Sequence, residues 1–152
     1  TEPLALKESR GRWYLLARDQ GDKRLKTFGL DRILGFEYTP GRFDYPSSLD
    51  VESLFRHSFG VINPTEEDPQ EIVLHFKPEQ GKYIKTYPLH PSQQILADTP
   101  DGLKIRLVLW ETRDLLMEIL SYGENVMVIT PSSLREAVRL SAMRMAKQYD
   151  HR

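Results

Sequence analysis

The sequence predicts an α+β chain in two parts, a small β-barrel over residues 1–64 and a ferredoxin-like α/β extension over residues 65–152. Three observations lead there. Short runs of alternating apolar and polar residues crowd the first forty positions, separated by tight polar turns. The stretch Asn63-Pro64-Thr65-Glu66-Glu67-Asp68-Pro69, with its prolines and acids, has the composition of a linker. After it, strand and helix patterns follow in the order β-α-β-β-α-β-α, the order of a split βαβ unit with an added helix.

In the first part, residues 12–18 alternate, with Trp13, Leu15 and Ala17 on one face and Arg12, Tyr14, Leu16 and Arg18 on the other. Asp19-Gln20-Gly21-Asp22 has turn composition. A return strand is expected over 24–30, with Arg24, Lys26, Phe28 and Leu30 on one face, and a third over 32–38, ended by Thr39-Pro40-Gly41. Three short strands joined by tight turns make a meander that can curl into a barrel. Phe43, Leu54, Phe55, Phe59 and Val61 are expected to cover it through a short helix and a closing strand.

In the second part, Glu71–Phe76 reads as a strand, and Pro78 opens a helix reaching about Lys85. Gln93–Asp98 and Leu103–Trp110 are strands joined by the turn Thr99-Pro100-Asp101-Gly102. Thr112 is an N-cap for a helix carrying Leu115, Leu116, Ile119 and Leu120, and Gly123 closes it. Val126–Thr130 is the last strand. Pro131 and a Ser133-x-x-Glu136 capping box are expected to start the final helix, whose apolar stripe is Leu134, Val138, Ala142, Met145 and Tyr149. That stripe has two open readings: packing on its own sheet, or packing on a partner.

Composition narrows the chemistry. There is no cysteine, so disulfides and thiol catalysis are excluded. No apolar run approaches the ~18 residues of a membrane span, and no signal peptide is visible. A cytoplasmic setting is expected, and the absence of an initiator Met suggests that an upstream portion exists. No P-loop, G-x-G-x-x-G, G-x-S-x-G or H-E-x-x-H motif occurs, so neither an enzyme nor a cofactor is expected. His57, His75, His90 and His151 lack the spacing of metal ligands.

The net charge is −1, yet from Lys7 to Arg32 eight basic residues face four acidic ones. Such a patch on a neutral chain suits an anionic ligand. Arg12, Tyr14, Arg18, Arg24, Lys26, Phe28 and Arg32 line one surface if the strands pair as expected. Guanidinium groups fork onto phosphate oxygens, and aromatic rings stack on bases. The plain alternative is that a small barrel simply exposes charged residues on its outer face.

Arg12-Trp13-Tyr14-Leu15-Leu16, followed by Thr27-Phe28-Gly29-Leu30-Asp31-Arg32-Ile33, resembles the WYL domain, and the remainder resembles the WCX extension that often follows it. The resemblance implies an Sm-like or SH3-like barrel. It further implies the effector-sensing and dimerising portion of a bacterial transcription regulator. Family members carry an arginine six residues before the Arg of their "DRI" motif, in the ligand patch; here that position is Lys26, which keeps the charge and loses the bidentate fork. Tyr14 and Arg32 match other ligand-patch positions, while Trp13, Leu15 and Ile33 match the core.

The segment Pro88-Leu89-His90-Pro91-Ser92-Gln93 also resembles part of this family; His90, Ser92 and Gln93 read as a structural cap in preference to a ligand site. The expected partners are single-stranded nucleic acid or a nucleotide-like effector, and a second copy in a homodimer. Duplex DNA would be met only through an upstream helix-turn-helix, and no membrane is involved. The alternative function is a non-sensing protein–protein interaction or dimerisation module.

Overall fold

Two successive hairpins build the first sheet. In the computed structural model, which describes residues 1–61 and 67–150, β1 (Glu2–Ser9), β2 (Arg12–Arg18) and β3 (Leu25–Gly29) pair antiparallel in the order β1-β2-β3. The β1–β2 loop is Arg10-Gly11, both at positive φ (52° and 74°). Two such residues give the mirror-image turn whose twist matches that of the strands it joins. The β2–β3 turn is closed by the Asp19 N–H donating to Arg24 O and the Lys23 N–H donating to Asp19 O, each at 2.9 Å. A 3₁₀ turn, Leu30–Arg32, follows β3 directly.

This region departs from the sequence expectation in three ways. β1 was not anticipated: its apolar residues, Leu4, Ala5 and Leu6, are consecutive and do not alternate, and a bulge between Pro3 and Ala5 absorbs the mismatch. Residues 32–38 form no strand; Leu34, Phe36 and Tyr38 are exposed on an irregular segment. Period-two spacing is not sufficient for a strand, and here the 3₁₀ turn ends the pairing after Gly29. The three strands therefore make an open sheet and no closed barrel among the described residues. Trp13 (53% exposed) and Ile33 (40%) lie outside the core expected of them.

The short helix α1 is Val51–Phe55, with Asp50 Oδ1 accepting from the Ser53 N–H at 3.1 Å. Its Phe55 is buried, and Lys7 Nζ lies 4.7 Å from the centre of that ring. No closing strand follows among the described residues; Phe59 joins the second core instead. By backbone contacts, residues 1–56 with Gly60 and Val61 form one compact unit, and His57–Phe59 with 67–150 form another. Most of the expected linker, 63–66, lies outside the described residues.

The second unit has β4 (Gln70–Phe76), α2 (Pro78–Thr86), β5 (Gln94–Thr99), β6 (Gly102–Leu109), α3 (Arg113–Ser121), β7 (Val126–Thr130) and α4 (Ser132–Tyr149). Its sheet runs β5-β6-β4-β7 with every neighbouring pair antiparallel, the topology of a split βαβ unit. Alternation puts Ile72, Leu74 and Phe76 opposite Leu107, Ile105 and Leu103 on one face, all buried. Ile84, Leu115, Ile119 and Leu134 from the helices complete that core. Gly81 lets α2 approach closely, since a Cβ there would lie 2.7 Å from Leu103 Cβ.

Thr112 caps α3 by accepting from the Leu115 N–H at 3.4 Å, and Gly123 (φ 55°) follows its end. The expected capping box at α4 is absent. Ser133 lies inside the helix and donates to Glu111 Oε1 at 2.6 Å, while Glu136 is paired with Arg139. His90, Ser92 and Gln93 bond to the backbone around them: Gln93 Oε1 accepts from the Leu89 N–H, Gln93 Nε2 donates to Ile84 O, Ser92 Oγ accepts from the Val108 N–H, and His90 Nδ1 accepts from the Ser92 N–H.

Candidate anion-binding face

Residues directly opposite one another in an antiparallel ladder share a face of the sheet. Here Lys7 is opposite Tyr14 and Ser9 opposite Arg12, while Tyr14 is opposite Gly29. Lys7, Arg12 and Tyr14 therefore share a face, and Gly29 leaves a gap beside the tyrosine. A Cβ in that gap would meet Asp31 Oδ1 at 2.7 Å and Arg32 Cγ and Cδ at 3.8 Å. The 3₁₀ turn thus folds Asp31 and Arg32 back over the same face. Arg12 Nη1 is 3.9 Å from Asp31 Oδ2, with both side chains more than half exposed. Arg32 has no carboxylate partner among the described residues.

The seven expected site residues therefore separate. Arg12, Tyr14 and Arg32 come together. Arg18 shares their face but lies beyond Leu16, in an ion pair with Glu2. Arg24 falls in the turn before β3, where its N–H donates to Asp22 Oδ1 at 3.0 Å. Lys26 is opposite Ala17 and Phe28 opposite Leu15, which sets both on the other face, with Trp13. The expectation of one continuous surface is corrected accordingly. Alternation within each strand was legible, but the pairing between strands that decides which sets coincide was not.

Lys26 is also occupied. Its Nζ lies 2.7 Å from Asp19 Oδ2 and 2.8 Å from Asp22 Oδ2. Hydrogen bonds to Asp19 and then to Asp22 raise the lysine pKa. The bond from Lys26, with the Gly21 N–H second, holds Asp19 below the usual carboxylate range; Asp22 is lowered by Lys26 and by the Arg24 N–H. This triad ties the turn together and leaves the lysine little freedom to meet a ligand. Lys7 was missed because the strand carrying it was missed. Its position across from Tyr14 adds a cation to the face.

His57 Nδ1 lies 3.0 Å from Val108 O, and His75 is half-buried on β4; His151 is outside the described residues. Among the described residues no group of His, Cys, Asp and Glu could hold a metal ion. A cleft of about 460 Å³ is lined by Glu67, Asp68, Gln70 and Glu111, the wrong sign for an anion. No described helix is long and apolar enough to cross a membrane.

Sequence models of two domain families match the chain: the WYL domain over residues 1–38 and the WCX domain over residues 68–146. The chain belongs to the WYL–WCX family. Its WYL part carries the face just described. Curated relatives include Protein PafB of Mycobacterium bovis and of Mycobacterium tuberculosis. Each is 28% identical over 141 residues, a match covering 90% of this chain and 41% of the relative. The chain thus spans about two fifths of the length of those relatives. A solved structure, the proteasome accessory factor B/C (PafBC) of Arthrobacter aurescens, is similar at 24% identity and a TM-score of 0.37, over 90% of this chain and 20% of that one.

Proposed function

We propose that this chain is the ligand-sensing and dimerising portion of a bacterial transcription regulator, and that its WYL part binds single-stranded nucleic acid or a nucleotide-like anion. The observation that carries the reading is the convergence of Arg12, Tyr14 and Arg32 on one face of the first sheet, with Lys7 beside them. Two guanidinium groups and an ammonium supply phosphate contacts, and the tyrosine ring offers a stacking plane. An Sm-like barrel, the fold the WYL resemblance implies, would present this face as part of its wall. The chain turns over nothing; it acts in the cytoplasm, and duplex DNA is met by another part of the longer protein.

The dimer half of the proposal rests on α4. Its stripe is buried at Leu134, half-buried at Val138 and exposed from Ala142 onward, with Met145 at 50% and Tyr149 at 83% exposure. The last eight residues of α4, about 12 Å of helix at 1.5 Å per residue, carry this apolar stripe into solvent. A two-fold partner would bury it against its own copy.

Fluorescence anisotropy with a short labelled single strand, at two salt concentrations, tests the sensing half. Binding that weakens as salt rises is expected, because phosphate contacts release counterions. No binding at low salt would sink the sensing half and leave an interaction module built on α4.

A further inference from the structure

We propose that Asp31 is a resident competitor in the anion-binding face, a carboxylate that occupies the site until a ligand with several negative charges displaces it. This deepens the reading above and rests on it. The sequence around Asp31 is basic, yet the 3₁₀ turn sets this carboxylate inside the cluster. One oxygen faces Arg12 Nη1 at 3.9 Å. The other occupies the gap over Gly29, where a Cβ would lie only 2.7 Å away. Arg32, the neighbour in sequence, runs its aliphatic stem along the same gap.

Gly29 is what makes room for this arrangement. Its backbone (φ −66°, ψ 126°) is ordinary extended geometry that any residue adopts. The glycine is therefore not required by backbone strain; what a side chain would disturb is the seat of the Asp31 carboxylate. Arg12 in the unliganded state is partly neutralised, and an entering phosphate must compete for it. A single phosphate meets a competitor of like charge. An oligonucleotide, with several phosphates held together, engages Lys7 and Arg32 at the same time and competes better. Asp31 thereby favours chains of phosphates over mononucleotides.

The test measures anisotropy of a labelled twelve-residue oligothymidylate and its displacement by a 5′-mononucleotide, for the wild type, Asp31→Asn, Gly29→Ala and Asp101→Asn. Removing an exposed carboxylate about 4 Å from a guanidinium is expected to tighten oligonucleotide binding about two- to fivefold. The slope of log affinity against log salt should steepen by up to about 0.7, one single-strand phosphate contact. The mononucleotide should gain more than the oligonucleotide. Gly29→Ala, which displaces the same carboxylate without removing its charge, should shift affinity in the same direction.

Asp101→Asn makes the same change in net charge in the turn between β5 and β6, and should do neither. Unchanged affinity and slope in Asp31→Asn, with the wild type binding, would overturn the competitor and spare the sensing proposal. An equal gain in Asp101→Asn would reduce the effect to net charge and overturn it as well. Binding by Asp31→Asn alone would mean that no ligand displaces the carboxylate, and would overturn the proposal. Absence of binding by every variant at low salt would overturn both readings together. If Gly29→Ala loses its circular dichroism signal, Asp31→Asn still decides.

Discussion

Replacing Arg32 by alanine should weaken oligonucleotide binding far more than replacing Lys26, although both are basic residues of the same hairpin region. The structure separates them twice over. Arg32 lies over Gly29 on the face of Tyr14 and has no carboxylate partner among the described residues. Lys26 is on the opposite face and is held by two carboxylates at 2.7 and 2.8 Å. A hydrogen bond to a charged group contributes about 1.5–3 kcal/mol net. For a solvent-exposed contact the lower end applies, so Arg32→Ala should cost roughly tenfold in affinity and flatten the salt slope by about 0.7. Arg12→Ala should cost less, because Asp31 already offsets part of its charge. Lys26→Ala should change affinity less than twofold, as expected of a surface change remote from the contact. Anisotropy titrations at three salt concentrations give both quantities for each variant. A loss in Lys26→Ala equal to that in Arg32→Ala would refute the assignment of faces, and with it the site.

Other consequences are open to direct measurement. A Met145→Asp, Tyr149→Asp double variant should convert a dimer to a monomer in light scattering while circular dichroism stays near wild type, since both side chains are exposed; unfolding of the variant would contradict that exposure. Leu107→Ala, at a fully buried position of β6, should destabilise the second unit by about 2–5 kcal/mol in denaturant titration. A loss under 1 kcal/mol would mean that the core relaxes around it. The Asp19–Lys26–Asp22 turn should loosen on acidification. Both carboxyl pKa values are lowered in the fold, so their stabilisation is complete above the ordinary aspartate value and is lost as pH falls through the lowered ones. Amide exchange at Gly21 and Arg24, which donate to these carboxylates, should rise there and not between pH 6 and 8.

The second unit was the more legible half because its signals are local and agree with one another. Leu103, Ile105, Leu107 and Leu109 alternate cleanly, and Pro78, Thr112 and Gly123 punctuate the helices as their chemistry dictates. In the first unit the pattern misled wherever the outcome depended on a partner. Leu34, Phe36 and Tyr38 have strand spacing but follow a 3₁₀ turn and join no ladder, although the edge of the sheet is open. Leu4, Ala5 and Leu6 lack that spacing and pair all the same, across a bulge. The candidate site was half legible for a related reason. Arg12 and Tyr14 could be assigned to a common face from one strand alone. The position of Arg32 depends on a 3₁₀ turn, and that of Lys26 on a cross-strand register, neither of which any periodicity encodes.

Strand β2 carries two sets of residues that selection can alter almost independently. Even-numbered positions, Arg12, Tyr14, Leu16 and Arg18, lie on the face of Tyr14; odd-numbered ones, Trp13, Leu15 and Ala17, answer to the far side of the sheet. Which β3 residues join each set is decided by the length of the turn between Arg18 and Leu25. Because side chains reverse with every residue, deleting one residue there would transfer Lys26 and Phe28 to the tyrosine's side and remove Thr27 and Gly29 from it. A change of that size would recompose both faces of the sheet, so turn length in this hairpin itself decides which side chains the proposed face presents.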